Sequence, residues 1–353
     1  MMTVELWNSV ASSLEHIGAA AEAAEEAGWT GISVTDSQNL AVDCFAVLLL
    51  AAKATTRLGL CTGVNSPGIR HPAVTACAIA TLQRLSGGRA IVGIGRGDSA
   101  HAHVGRAPAR VAAFERYIKV VQDYLSGRKV AFDELTFDER MASTIDTLEL
   151  GDTPSDSHLT WLREDDVKVP VEVACSGPKV IAAAARHADR VMFALGADPE
   201  RMAWGIEHAL EARRQAGLPR DGIKFGAYVN LACHTDLSVA RKLVGNAIAT
   251  YARFSVMHGA KTTPLSGIEK SAVADLNRSF DMREHHNSEL LPAEFVDKFA
   301  VVGSPEVCIP RLQAIAATGI SKITIVGARD YTNADALEAE KILARDVLPE
   351  FVD

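Results

Sequence analysis

"VEVACSGPKVIAAAARHADRVMFAL", residues 171–195, holds a strand, a helix and a second strand with almost nothing between them. "VEVAC" is short, apolar and β-branched, as a buried strand should be. Ser176 and Gly177 end it, and Pro178 suits the first turn of the helix "PKVIAAAARHA". "RVMFAL" then returns to strand character. Two strands joined through a helix lie parallel in one sheet, with a right-handed crossover.

The same unit repeats in both directions. Toward the N-terminus, "TVELW", "GISVTD", "RLGLCTGV" and "AIVGIG" read as strands, each followed by a helix-period segment. Toward the C-terminus, "KFGAYVNLAC" and "SKITIV" complete a set of eight strands, each with its helix. Eight such units close most naturally into an α/β fold of the (β/α)8 TIM-barrel type, with an open doubly wound sheet as the alternative. Two stretches break the rhythm: about 129–168, after strand 4, which is polar, acidic and weakly periodic, and about 257–300, after strand 7. Neither looks like a linker, so residues 1–353 are expected to form one barrel domain with two insertions.

Composition narrows the partners. Apolar residues make up 48% of the chain, enough for a large core and too many for disorder. The net charge is -8 and the basic residues are scattered singly, so no nucleic acid is expected as partner. Cys44, Cys61, Cys77, Cys175, Cys233 and Cys308 form no C-x-x-C pair and no zinc spacing, which reads as reduced thiols in a cytoplasmic protein without a metal site. The longest apolar run, "FAVLLLAA", is far too short to cross a bilayer.

In a barrel of this kind the strands' C-terminal ends open on one face, where active sites are built. Candidates are therefore the unusual residues at strand ends. In "CTGVNSPGIRHP" (61–72), Gly63, Asn65, Ser66, Pro67 and Gly68 permit bulges and close backbone approach, so this strand end is expected to bend away and leave a flat surface, unless it is a plain loop. "GIGRGDS" (93–99) lacks the spacing of a dinucleotide fingerprint, and Asp98 in it is a carboxylate placed to titrate or hydrogen-bond. "CSGPK" (175–179) puts Ser176 and Gly177 before a helix whose unpaired N–H groups can hold a phosphate, with Lys179 adding charge. Glu5 on the first strand is read as a carboxylate pointing into the barrel mouth, costly there unless used or paired. His101, His103, His285 and His286 are weaker acid-base candidates.

Taken together in their order and spacing, "AAEEAGWTGISVTD", "RLGLCTGVNSPGIRHPAVTA", "LSGGRAIVGIGRGDSA", "VPVEVACSGPKVIAAAARHADRVM" and "VVGSPEVCIPRLQAIAATGISKITIV" resemble the bacterial-luciferase-like superfamily of flavin and deazaflavin oxidoreductases. The branch they are most similar to is the one typified by methylenetetrahydromethanopterin reductase. The resemblance implies a barrel mouth that binds the deazaflavin coenzyme F420, or FMN in other members, and a homodimer. It implies a non-prolyl cis peptide at Gly63–Val64 behind the ring, a phosphate loop at Ser176, Gly177 and Lys179, and catalytic carboxylates at Asp98 and Glu5, at least one with a raised pKa. It also places Asp36 at the cofactor, although Ser37 stands where many relatives carry histidine. The implied reaction is hydride transfer between coenzyme F420 and a small organic substrate. An FMN-dependent monooxygenase and a non-catalytic flavin-binding or subunit-partner barrel are the alternatives.

Overall fold

The computed structural model describes residues 4–10, 14–256, 267–281, 291–327 and 333–351. The elements run β1 (Glu5–Val10), α1 (Ile17–Glu26), β2 (Gly31–Val34), α2 (Cys44–Ala54), β3 (Gly59–Thr62), α3 (Pro72–Ser86), β4 (Ala90–Ile94), α4 (Ser99–Ala102) and α5 (Val111–Leu125). They continue with β5 (Val171–Cys175), α6 (Pro178–His187), β6 (Arg190–Phe193), α7 (Pro199–Gln215), β7 (Lys224–Cys233) and α8 (Leu237–Phe254). The chain ends with α9 (Gly267–Ser279), α10 (Ala293–Phe299), β8 (Val301–Gly303), α11 (Pro305–Ala316), β9 (Lys322–Val326) and α12 (Ala334–Ile342).

Pairing follows the order β6-β5-β4-β3-β2-β1-β9-β7, and a further β6–β7 pairing closes the ring. All these pairs are parallel. The result is the expected (β/α)8 barrel. Its strands are buried on both faces, as in β2, β6 and β9, where no residue is exposed. Each valine, leucine or isoleucine so buried contributes about 1.5–3 kcal/mol relative to exposure.

One strand differs from the sequence pattern. β7 is ten residues long and overshoots the barrel, so its last turns, Leu231–Cys233, pair with the short extra strand β8. "VVG" is only three residues long and carries no alternation, and it is not among the eight strands read from the sequence. The first insertion holds only two short 3-10 turns and one antiparallel bridge, Val130 with Ser157. The second is described in part and contains α9 and α10.

The barrel interior divides into a charged base and an apolar floor. At the base, Trp7 fills the space between β2 and β3: a Cβ on Gly31 or on Gly59 would lie 2.5 Å from its ring. Lys322 Nζ stands 3.5 Å from the centroid of that ring. Around it, Arg190 bonds Glu5 at 2.7 Å and Glu172 at 2.8 Å, while Lys322 bonds Glu172 at 2.8 Å. Two acids face two bases, so the plug is neutral, which is the condition under which charges tolerate burial. Toward the mouth, Met192, Ala194, Tyr228 and Val326 form a separate apolar cluster with Val64, Ala174, Ala247 and Tyr251 packed on it. Among the described residues no helix is long and apolar enough to cross a membrane.

Candidate active site

A cavity of about 1070 Å³ opens at the C-terminal ends of the strands. Its floor is the apolar cluster just described, and its walls come from the loops after β2, β3, β4 and β5 and from α8. Asp36, Gly63, Val64, Asp98, Ser176 and Gly177 all line it. Residues far apart in the chain thus meet because parallel strands all present the same end.

The β3 loop shapes one wall. The Gly63–Val64 peptide is cis, as the resemblance implied. Packing is close on all sides: a Cβ on Gly63 would lie 2.3 Å from Ser33 Oγ, and one on Gly95 would lie 2.6 Å from Val64 Cγ2. Glycine at 95 therefore leaves room for Val64 to stand at the cavity wall. Asn65 is fully buried behind this wall and does not line the cavity. Its backbone is stitched to β4 (Asn65 N to Gly93 O, Gly95 N to Asn65 O, both 2.8 Å), and its side-chain amide donates to Asp36 at 2.5 Å. Asn65 thus holds the Asp36 carboxylate, which also faces Arg70 at 3.6 Å. Beside it Ser37, 2% exposed, keeps a buried hydroxyl with no hydrogen-bond partner.

The β5 loop gives the polar end. Gly177 caps α6 in extended backbone (φ -102, ψ 151), Pro178 opens the helix, and no side chain caps it. The amino end of a ten-residue helix is then free to face an anion in the cavity. Ser176 Oγ donates to the carbonyl of Phe254 at 2.7 Å, tying this loop to α8. Lys179 is exposed and does not line the cavity, so the charge expected of it at the phosphate loop is not placed there.

Glu5 is a second correction. β1 begins at Glu5 instead of ending near it, so the side chain lies at the base, in the Arg190 plug, and outside the cavity. Burial alone would raise its pKa, but the bond and charge of Arg190, with Lys322 and Trp7, hold the carboxyl below the ordinary value. The direction is opposite to the raised pKa considered for it. The sequence warned that such a group must be used or paired; it is paired.

Asp98 does reach the cavity, but not alone. Its carboxylate is ion-paired with Arg253, whose Nη1 lies 3.3 Å from Oδ1. Arg253 was not anticipated from sequence, because α8 reads as an ordinary amphipathic helix. α8 is broken at Gly245 (φ 27, ψ -127), and residues on both sides of the break line the cavity, Lys242 and Val244 before it and Thr250, Tyr251, Arg253 and Phe254 after it. Phe280, just after α9, completes the setting: the guanidinium carbon stands 4.8 Å from its ring centroid and 5.3 Å from that of Phe254. The second insertion therefore reaches the cavity through Phe280 and Asp281, whereas no residue of 129–168 lines it.

Of the histidines, His103 lines the cavity. His101 is buried beside it, with Nε2 2.5 Å from the Pro67 carbonyl and Nδ1 3.1 Å from that of Ala107, bracing the β3 and β4 loops. His285 and His286 lie outside the described residues. Among the described residues no group of three or more metal-type ligands occurs.

Comparison with known proteins fits this geometry. Over 93% of both chains, the protein is 24% identical to the 5,10-methylenetetrahydromethanopterin reductase of Archaeoglobus fulgidus. Its fold matches the coenzyme F420 dependent tetrahydromethanopterin reductase of Methanopyrus kandleri with a TM-score of 0.74 at 20% identity, covering 99% of each chain. An F420-dependent secondary alcohol dehydrogenase, solved with an F420-acetone adduct, matches with a TM-score of 0.71 at 18% identity over 100% of each chain. The model of the luciferase-like monooxygenase family matches residues 2–322, and the chain belongs to that family.

Proposed function

We propose that the protein is a coenzyme F420-dependent oxidoreductase that transfers a hydride between the cofactor and a small organic substrate. The observation that carries this reading is the convergence of the Gly63–Val64 wall, Asp98 and the uncapped end of α6 on one cavity. Two solved structures that match over the full length and are named for F420, the tetrahydromethanopterin reductase and the secondary alcohol dehydrogenase, support the choice of cofactor.

The cavity suits a flat, phosphate-bearing ligand. It is large enough for a cofactor and a small substrate together. Its floor is apolar and its walls carry an unpartnered Ser37 hydroxyl, a donor in need of a polar ligand atom. In this reading Val64 backs the ring, Gly177 and the first N–H groups of α6 hold the phosphate, and Asp36, fixed by Asn65, orients the polar edge. When bound, the deazaflavin supplies or accepts the hydride. Asp98 handles the accompanying proton, and the aromatic wall excludes water from the reacting atoms. Lys179 and Glu5 have no part in it.

A titration of the purified protein with F420 and with FMN, followed by fluorescence, decides the cofactor. F420 should bind more tightly; preferential binding of FMN would favour the family's monooxygenase chemistry, and binding of neither would remove the reading. Gly177→Asp should weaken F420 binding more than about tenfold, because a carboxylate would then stand where the phosphate is held. Equal affinity in that variant would move the phosphate elsewhere.

The same reading expects a homodimer. Leu49 and Leu50 on α2 and Val74 on α3 are large apolar side chains left 42%, 43% and 54% exposed, and a second copy would cover them. Sedimentation of Leu49→Glu/Leu50→Glu should show a monomer where the parent protein is a dimer. A parent protein that sediments as a monomer would contradict this.

A further inference from the structure

We propose that Arg253 is the receptor for a carboxylate group of the substrate, and that Asp98 competes with that carboxylate for the same face of the guanidinium. The inference rests on the cavity being where the chemistry takes place.

Three observations lead to it. First, both guanidinium terminal nitrogens face the two oxygens of Asp98, the fork geometry by which arginine binds any carboxylate. The partner stands inside the cavity, on the short loop between β4 and α4. Second, the arginine is held as a receptor would be. Phe254 and Phe280 flank it at 5.3 and 4.8 Å, its side chain is 16% exposed, and its Nε is buried without a partner. Aromatic flanks of this kind fix the plane of a guanidinium while leaving its edge to bind, something lysine would not do. Third, the cavity carries cations besides Arg253, alongside the acids Asp36, Asp98 and Asp281. Arg96 and Lys242 line it, and among the described residues neither forms an ion pair, whereas Asp36 is already engaged by Asn65 and Arg70.

Two elements create this receptor. Arg253 lies beyond the break in α8, and Phe280 comes from the second insertion. Substrate preference would thus reside on the α8 side of the mouth. A carboxylate that takes the guanidinium also leaves Asp98 without its counter-charge, which favours uptake of a proton by Asp98. Anchoring of the substrate and readiness of the acid would then be one event.

Competition makes an unusual prediction, because removing a charged group should strengthen binding. Calorimetry with benzoate and its neutral analogue benzamide as probes, on the protein without added cofactor, tests it. The parent protein should prefer benzoate. Asp98→Asn should bind benzoate about tenfold more tightly than the parent, since the internal competitor is gone. Arg253→Gln should lose the preference over benzamide. A purely structural Asp98–Arg253 pair would give no gain in Asp98→Asn, and that result, or a preference surviving in Arg253→Gln, overturns the proposal. If Arg253→Gln fails to fold, Asp98→Asn still decides by itself. Failure to bind F420 would sink the cofactor assignment alone, because the probes report on the arginine directly.

Discussion

Replacement of Glu172 by alanine should destabilise the barrel by about 3–5 kcal/mol, the cost of stranding buried charges. Glu172 is 2% exposed and is the one acid bonded to both bases, accepting from Arg190 and from Lys322 at 2.8 Å each. Without it, among the described residues, Lys322, which is 0% exposed, keeps the face of Trp7 and Arg190 keeps its bond to Glu5. Denaturant melts followed by circular dichroism measure the loss; a change below about 1 kcal/mol would mean that the plug contributes little. The plug also has a pH signature. The folded pKa of Glu5 is depressed, so its contribution is fully present above the unfolded carboxylate value, about 4.3, and is lost as pH falls through the lower folded value. Glu5→Gln should therefore lose less stability than the parent between about pH 5 and pH 3.

Asp98→Asn should lower kcat by about 100- to 10,000-fold on any substrate that a screen with F420 reveals, the range associated with a positioned proton-transfer group. The amide keeps the volume and one acceptor oxygen but can neither take nor give the proton. Thermal melts should stay close to the parent, since the side chain lies at the cavity and not in the core. Glu5→Gln provides the contrast: it sits in the base plug and should leave kcat unchanged while altering stability. The reverse pattern, with Glu5→Gln inactive and Asp98→Asn active, would remove Asp98 from the chemistry.

Much of the architecture was legible because it depends on local periodicity. "VEVAC" and "KFGAYVNLAC" coincide with β5 and β7 residue for residue, and Pro178 opens α6 where the sequence placed it. Strand ends could be read wherever glycine and proline marked them, so Gly63, Asp98, Ser176 and Gly177 converge as expected. Glu5 misled because alternation tells which face a strand residue takes, and only the strand's starting point tells how deep it lies. β1 extends to Val10 through Asn8 and Ser9, polar residues that pair with Ile32 and Ser33 in the ring. Lys179 was close in sequence to the phosphate loop but faces outward from the first turn of α6. Arg253 was beyond reach for another reason. It lies near the end of α8, far in sequence from Asp98, and the helical pattern there marks neither its partner nor the break at Gly245.

A crystal structure with F420 tests the central claim most directly. The account predicts the flat ring system against Val64 above the apolar cluster, its phosphate at the amino end of α6, and Asp98 within hydrogen-bonding reach of the space beside the ring. A cofactor bound outside this cavity, or one whose phosphate lies away from Gly177, would contradict it.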